Sequence, residues 1–127
     1  MKKIAFIGSG TMGTALATAA CKGISPSEVV LTDVVVEKGK KLAEELGCHF
    51  VDTNAEAIES SQYVVFCVKP QFLKSVLTEV KPVFERCASA GEEKVIVSIV
   101  AGVEVSTYQE ELGLAGKNVS VIRILPN

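Results

Sequence analysis

Gly8-Ser9-Gly10-Thr11-Met12-Gly13 directly follows the apolar run Ile4-Ala5-Phe6-Ile7, and the spacing of its three glycines suits a particular piece of chemistry. The first lets a strand reverse tightly into a helix. The second removes a Cβ where a pyrophosphate must approach the backbone, and the third lets helix and strand pack closely. The pyrophosphate of a dinucleotide would then sit on the first free N–H groups of that helix, at the positive end of its dipole. A glycine turn of this spacing can also be a purely structural connection. Here a buried strand precedes it, and Met12, Ala15, Leu16, Ala19 and Ala20 follow at the spacing of an apolar helical stripe packed on a sheet.

In folds with such a turn, the end of the second strand meets the adenosine ribose, where a carboxylate accepts both hydroxyls and repels a 2′-phosphate. Asp33 has that place, 25 positions after Gly8, the turn Gly23-Ile24-Ser25-Pro26-Ser27 accounting for the extra length. It favours NADH over NADPH if it is the ribose ligand, and otherwise caps the next helix. No arginine follows to hold a 2′-phosphate. Lys38, Lys40 and Lys41 offer charge there, or form a solvated helix face beside Glu37, Glu44 and Glu45.

Three further strand ends face the same crevice: Cys67-Val68-Lys69-Pro70-Gln71, Ser98-Ile99-Val100-Ala101-Gly102-Val103, and Ile122-Arg123-Ile124-Leu125-Pro126-Asn127. Lys69 opposes the dipole of the helix it begins, by roughly 0.3 to 1 kcal/mol. An anionic ligand nearby would explain it, as would plain exposure. The sole histidine, His49, reads as an ordinary surface or strand residue. Cys21, Cys48, Cys67 and Cys87 form no C-x-x-C pair, so neither a metal site nor a redox dithiol is indicated, and they read as small thiols in a reducing cytoplasm.

The elements that must position these residues are legible as alternating segments. Strand-like runs at 4–7, 29–32, 49–51, 63–68, 95–99 and 119–125 are separated by helical stretches. This predicts an α/β fold, a doubly wound, mostly parallel Rossmann-type sheet of about six strands with helices on both faces. Near-continuous apolar runs such as Val64-Val65-Phe66-Cys67-Val68 fit burial on both faces. Thr53-x-x-Glu56 and Ser106-x-x-Gln109 read as capping boxes, Pro70 as a first helical residue, and Gly47 and Gly113 as helix ends. In the longest connection Phe72, Leu73, Val76, Leu77 and Val80 form an apolar face, and Pro82 should end or kink it.

At 127 residues the chain is one domain long, with 48% hydrophobic residues and a net charge of -2. This excludes a disordered chain and makes nucleic acid an unsuitable partner. No apolar stretch approaches the roughly 20 residues of a membrane span, and the start Met1-Lys2-Lys3 is not a signal peptide. A soluble cytoplasmic domain acting on a small molecule is expected.

Together the glycine turn, Val68-Lys69-Pro70, Ser98-Ile99-Val100-Ala101-Gly102-Val103 and Ile122-Arg123-Ile124-Leu125-Pro126-Asn127 resemble the pyrroline-5-carboxylate reductase family, in order over the whole chain. The resemblance implies hydride transfer from NAD(P)H to the C=N bond of 1-pyrroline-5-carboxylate, giving L-proline, the last step of proline synthesis. It places Gly8, Ser9, Gly10, Thr11, Met12 and Gly13 on the pyrophosphate, Asp33 on the ribose, and Asn54 on the adenosine side. Asn54 equally suits a helix cap. Cys67, Val68, Lys69 and Pro70 would line the nicotinamide half through backbone, with Ala101 and Gly102 opposite and Pro126 and Asn127 next to substrate. Gly102 could instead be needed only for its backbone angles. No catalytic acid or base is singled out, since the imine is already electrophilic.

Two departures from the family stand out. It commonly has a hydroxyl-bearing residue, suited to NADPH, where this chain has Asp33. Its helical second domain, which forms the homo-oligomer and completes the pocket, is expected beyond Asn127, where the chain stops inside a family motif. Related hydroxyacid dehydrogenases, or a non-enzymatic dinucleotide-binding module, are the alternatives.

Overall fold

A computed structural model describes residues 2–124. Leu125, Pro126 and Asn127, with the substrate-adjacent expectation placed on the last two, lie outside the described residues.

In chain order, β1 (Lys2–Ile7) leads into α1 (Thr11–Gly23), and a 3-10 turn (Pro26–Glu28) leads to β2 (Val29–Thr32). There follow α2 (Val36–Leu46), β3 (His49–Phe50), α3 (Asn54–Glu59), β4 (Ser61–Phe66), α4 (Pro70–Ser89), β5 (Lys94–Ser98), α5 (Val105–Glu111) and β6 (Val119–Arg123). The six strands form one sheet in the order β3-β2-β1-β4-β5-β6, and every pair is parallel. The chain therefore reverses its winding at β1, and the crevice between the carboxyl ends of β1 and β4 is the topological switch point.

The apolar runs are explained by the two covered faces. Ala5, Ile7, Val64, Phe66 and Ile96 pack with Ala57 and Ile58 of α3, Leu73, Leu77, Val80 and Phe84 of α4, and Tyr108 of α5. Phe6, Val29, Leu31 and Val65 point the other way, onto Ala17 of α1 and Leu42 and Ala43 of α2. The half-buried edge strand β6 leaves Ile122 exposed. No helix among the described residues is long and apolar enough to cross a membrane.

Several local expectations need correction. The expected stripe on α1 is turned by about one position: Met12, Ala15 and Ala19 are exposed, while Gly13, Leu16, Ala17, Ala20 and Cys21 face the sheet. The reason is steric, because the third glycine must be the point of nearest approach to β4 and the rest of the face follows from it at helical spacing. Ser106 does not open a capping box. The helix starts at Val105 after Glu104, which gives no side-chain cap. Pro82 neither ends α4 nor divides it, since the helix runs on to Ser89. Phe72 is 55% exposed, outside the buried face made by Leu73, Leu77, Val80, Val83, Phe84 and Cys87. Strands β4, β5 and β6 also end earlier than expected, which releases residues 67–68, 99 and 124 into the turns above the sheet. Thr53, Gly47 and Pro70 occupy the terminal positions their residue types predict.

Candidate functional site

Because all strands are parallel, the first glycine turn, Asp33, Cys67 and Ile99 emerge at the same end of the sheet. Gly8 has φ +93, and its backbone N–H donates to Thr32 O at 3.0 Å, tying the turn to β2. A Cβ on Gly8 would lie 3.2 Å from the backbone C and O of Cys67. One on Gly13 would lie 2.9 Å from Cys67 Cβ, a separation real side chains do not show, and a tight 3.1 Å from Gly8 O. Around Gly10, by contrast, nothing among the described residues lies within 4 Å of an added Cβ.

Gly10 is the N-cap of α1 and offers no side chain to the helix. Thr14 N closes on Gly10 O at 2.8 Å, so the amides of the first turn before it have no partner inside the helix. Open space lies over unsatisfied donors at a positive helix end, an arrangement able to hold a pyrophosphate.

Asp33 follows β2 directly. Its Oδ1 accepts from Val35 N at 2.9 Å and its Oδ2 accepts from the Ser9 hydroxyl. The N-cap of α2 is Val35, not Asp33, so the carboxylate shapes the turn before the helix without capping it. Ser9 is 2% exposed although it lies in the glycine turn. The sequence named both residues but gave no sign of their bond, which joins groups 24 positions apart.

Asn54 stands apart from this cluster. It is the first residue of α3, whose cap is Thr53, with its Oγ1 accepting from Glu56 N at 3.1 Å. The Asn54 amide reaches both carboxylate oxygens of Glu79 on α4, at 3.3 and 3.4 Å.

Above β4, Cys67 N donates to Ile7 O at 2.8 Å and its side chain lies against Gly13. Burial pushes its thiol up from 9.0 to about 12, so it stays protonated. Lys69 is exposed as the N-cap of α4, with Pro70 its first residue. Ala101 and Gly102 are exposed in the turn after β5, where Gly102 takes φ +75 and an added Cβ would meet nothing within 4 Å among the described residues. That turn is anchored from below. Ser98 Oγ accepts from Val100 N at 3.4 Å and pairs with the hydroxyl of buried Tyr108, whose ring packs on Phe66 with centroids 5.7 Å apart. Arg123 is the register partner of Ser98 on β6, and its buried Nε has no hydrogen-bond partner among the described residues.

His49 lies at the opposite end of the sheet, where its Nε2 is 3.1 Å from Lys2 Nζ. Lys94 is buried at that end too, donating to Ser61 O at 2.6 Å. A shallow hollow of about 240 Å³ lined by Gln62, Glu93, Lys94, Val95, Asn118 and Ser120 opens there, away from the glycine turn. Among the described residues no cluster of three histidine, cysteine, aspartate or glutamate side chains forms a metal site.

A sheet wound 3-2-1-4-5-6 with a glycine turn and an acidic strand end at its switch point defines a Rossmann-type domain. The chain belongs to the family described as NADP oxidoreductase coenzyme F420-dependent, which it matches over residues 3–102. It is similar to a pyrroline-5-carboxylate reductase of Methanosarcina acetivorans, with 37% identity over 99% of this chain and 44% of the relative. A solved pyrroline-5-carboxylate reductase of Coxiella burnetii superposes with a TM-score of 0.82 at 26% identity, over 99% of this chain and 44% of that one. The fold is also that of the Plasmodium falciparum pyrroline carboxylate reductase solved with NADP bound, with a TM-score of 0.75 at 23% identity over 99% of this chain and 42% of the other. The chain thus spans less than half the length of these relatives.

Proposed function

We propose that the chain is the dinucleotide-binding part of a pyrroline-5-carboxylate reductase, which transfers hydride from NAD(P)H to the C=N bond of 1-pyrroline-5-carboxylate and yields L-proline. The observation that carries this reading is convergence: the glycine turn, Val68-Lys69-Pro70 and Ala101-Gly102-Val103 leave β1, β4 and β5 at one end of one sheet. The likeness to a named reductase over 99% of the chain supports it.

In this reading the backbone amides of residues 10–13 hold the pyrophosphate, Gly10 giving it room. Asp33 receives the adenosine ribose, and Asn54, once drawn away from Glu79, serves the adenosine side. Cys67, Val68, Lys69 and Pro70 offer backbone to the nicotinamide half, across from Ala101 and Gly102. The nicotinamide supplies the hydride, and the polypeptide aligns it with an already electrophilic imine carbon. Pro126 and Asn127 would border the substrate, and a helical partner domain would complete the pocket and the homo-oligomer.

Asp33 favours NADH, since an ionised carboxylate accepts from a ribose diol but repels a 2′-phosphate. The bound NADP of the Plasmodium relative makes this the point to test. Fluorescence titration of the chain should give a lower Kd for NADH than for NADPH. Asp33→Ser should move the ratio towards NADPH by roughly tenfold, equivalent to about 1.4 kcal/mol. An unmoved ratio would return Asp33 to a purely local role in the turn.

A further inference from the structure

Ser9 has a buried hydroxyl in the middle of a turn whose other members are read through their backbone. A buried hydroxyl must find a partner, and among the described residues its partner is Asp33 Oδ2. We infer that Ser9 is a positioning residue for dinucleotide choice: its hydroxyl holds the Asp33 carboxylate in the orientation that accepts a ribose diol and rejects a 2′-phosphate. This rests on the reading of Asp33 as the ribose ligand and extends it to a residue outside the ribose contact.

The hydrogen-bond inventory supports the assignment. An ionised carboxylate has about four acceptor sites, two on each oxygen. Val35 N takes one on Oδ1 and Ser9 takes one on Oδ2. One site on each oxygen remains, matching the two hydroxyls of a ribose. Among the described residues no lysine or arginine forms an ion pair with Asp33, so its charge stays available to repel a phosphate.

Both supports are rigid. Ser9 O accepts from Thr14 Oγ1 at 2.8 Å, which fastens the Ser9 backbone to α1, and Gly8 N fastens the turn to Thr32 O. On the far side Gly39 brings α2 close, an added Cβ there falling 3.0 Å from Asp33 Cβ. Without the Ser9 hydroxyl, the carboxylate keeps, among the described residues, only the Val35 amide and can rotate towards water. It would then accept the ribose less well and repel a 2′-phosphate less.

The test measures Kd for NADH and NADPH on the intact chain in Ser9→Ala, Ser9→Thr, Asp33→Ser and the Ser9→Ala/Asp33→Ser double variant, with melting temperatures alongside. Ser9→Ala should weaken NADH by roughly fivefold to tenfold, the loss of one charge-assisted hydrogen bond, and tighten NADPH by a smaller factor. Ser9→Thr, which keeps the hydroxyl, should preserve the ratio. The double variant should match Asp33→Ser, because Ser9 acts only through Asp33. If Asp33→Ser shifts the ratio and Ser9→Ala does not, the role of Ser9 is overturned while the reading of Asp33 stands. An equal loss of both dinucleotides with a lowered melting temperature would also overturn it, as a structural effect. A ratio unmoved by Asp33→Ser removes the reading on which the inference rests.

Discussion

Gly10 and Gly13 lie three positions apart in one turn, yet they answer to different constraints. Gly13 is glycine because Cys67 is there: a methyl group would meet Cys67 Cβ at 2.9 Å. Gly10 meets nothing among the described residues, which leaves room for the proposed pyrophosphate. Gly13→Ala should therefore destabilise the fold by about 1 to 3 kcal/mol, the cost of overpacking, seen as a lower urea midpoint. Gly10→Ala should leave that midpoint nearly unchanged and raise the Kd for NADH at least roughly tenfold. Equal stability losses in the two variants would mean that both glycines serve only the turn. Cys67 adds a pH dependence. Its thiol stays protonated in the folded chain up to about 12, whereas in the unfolded chain it ionises near 9.0. Since the unfolded state then loses the proton first, stability contributed by this group is present below about pH 9 and lost as pH rises towards 12. Cys67→Ala should flatten that decline in the urea midpoint, and an identical slope would show that the thiol is solvated.

The elements show which features a sequence carries and which it does not. Strand identity was legible because both faces of the sheet are covered, leaving runs such as Val29-Val30-Leu31 fully buried. The caps at Thr53 and Gly47 were legible because they depend on one residue and its own helix. The rotation of α1 was not, since Met12 is as apolar as Leu16 and the close contact between Gly13 and Cys67 turns the helix face. The Ser9–Asp33 and Asn54–Glu79 bonds were invisible for the same reason, each joining distant segments. So was the bond between Ser98 and Tyr108, which links the end of β5 to α5 beneath the turn carrying Ala101 and Gly102. Tyr108→Phe keeps the ring on Phe66 but leaves the buried Ser98 hydroxyl with only a weak contact to Val100 N, at 3.4 Å. The expected cost is about 1 to 2 kcal/mol in the urea midpoint. No loss would mean that the Ser98 hydroxyl reaches water.

At the scale of the molecule, the carboxyl ends of the strands form an open surface among the described residues. Met12, Phe72 and Ile124, at the start of α1, the start of α4 and the end of β6, all lie towards the carboxyl ends of the strands and are 41%, 55% and 48% exposed. Hydride transfer to an imine needs both reactants held in register, and a surface open on this side can hold only one of them well. Binding and turnover should therefore separate in the chain Met1–Asn127. If the turn binds dinucleotide, NADH at about 100 times its Kd stabilises the folded state by about 2.7 kcal/mol, since only the folded state has the site. For a domain of this size that raises the melting temperature on the order of 10 °C. The same sample, given NADH and 1-pyrroline-5-carboxylate, should form almost no proline. A melting temperature unmoved by NADH would remove the cofactor site. Rapid proline formation by these residues alone would instead show that the crevice between β1 and β4 holds both reactants unaided, with the exposed apolar side chains around it acting as the substrate wall.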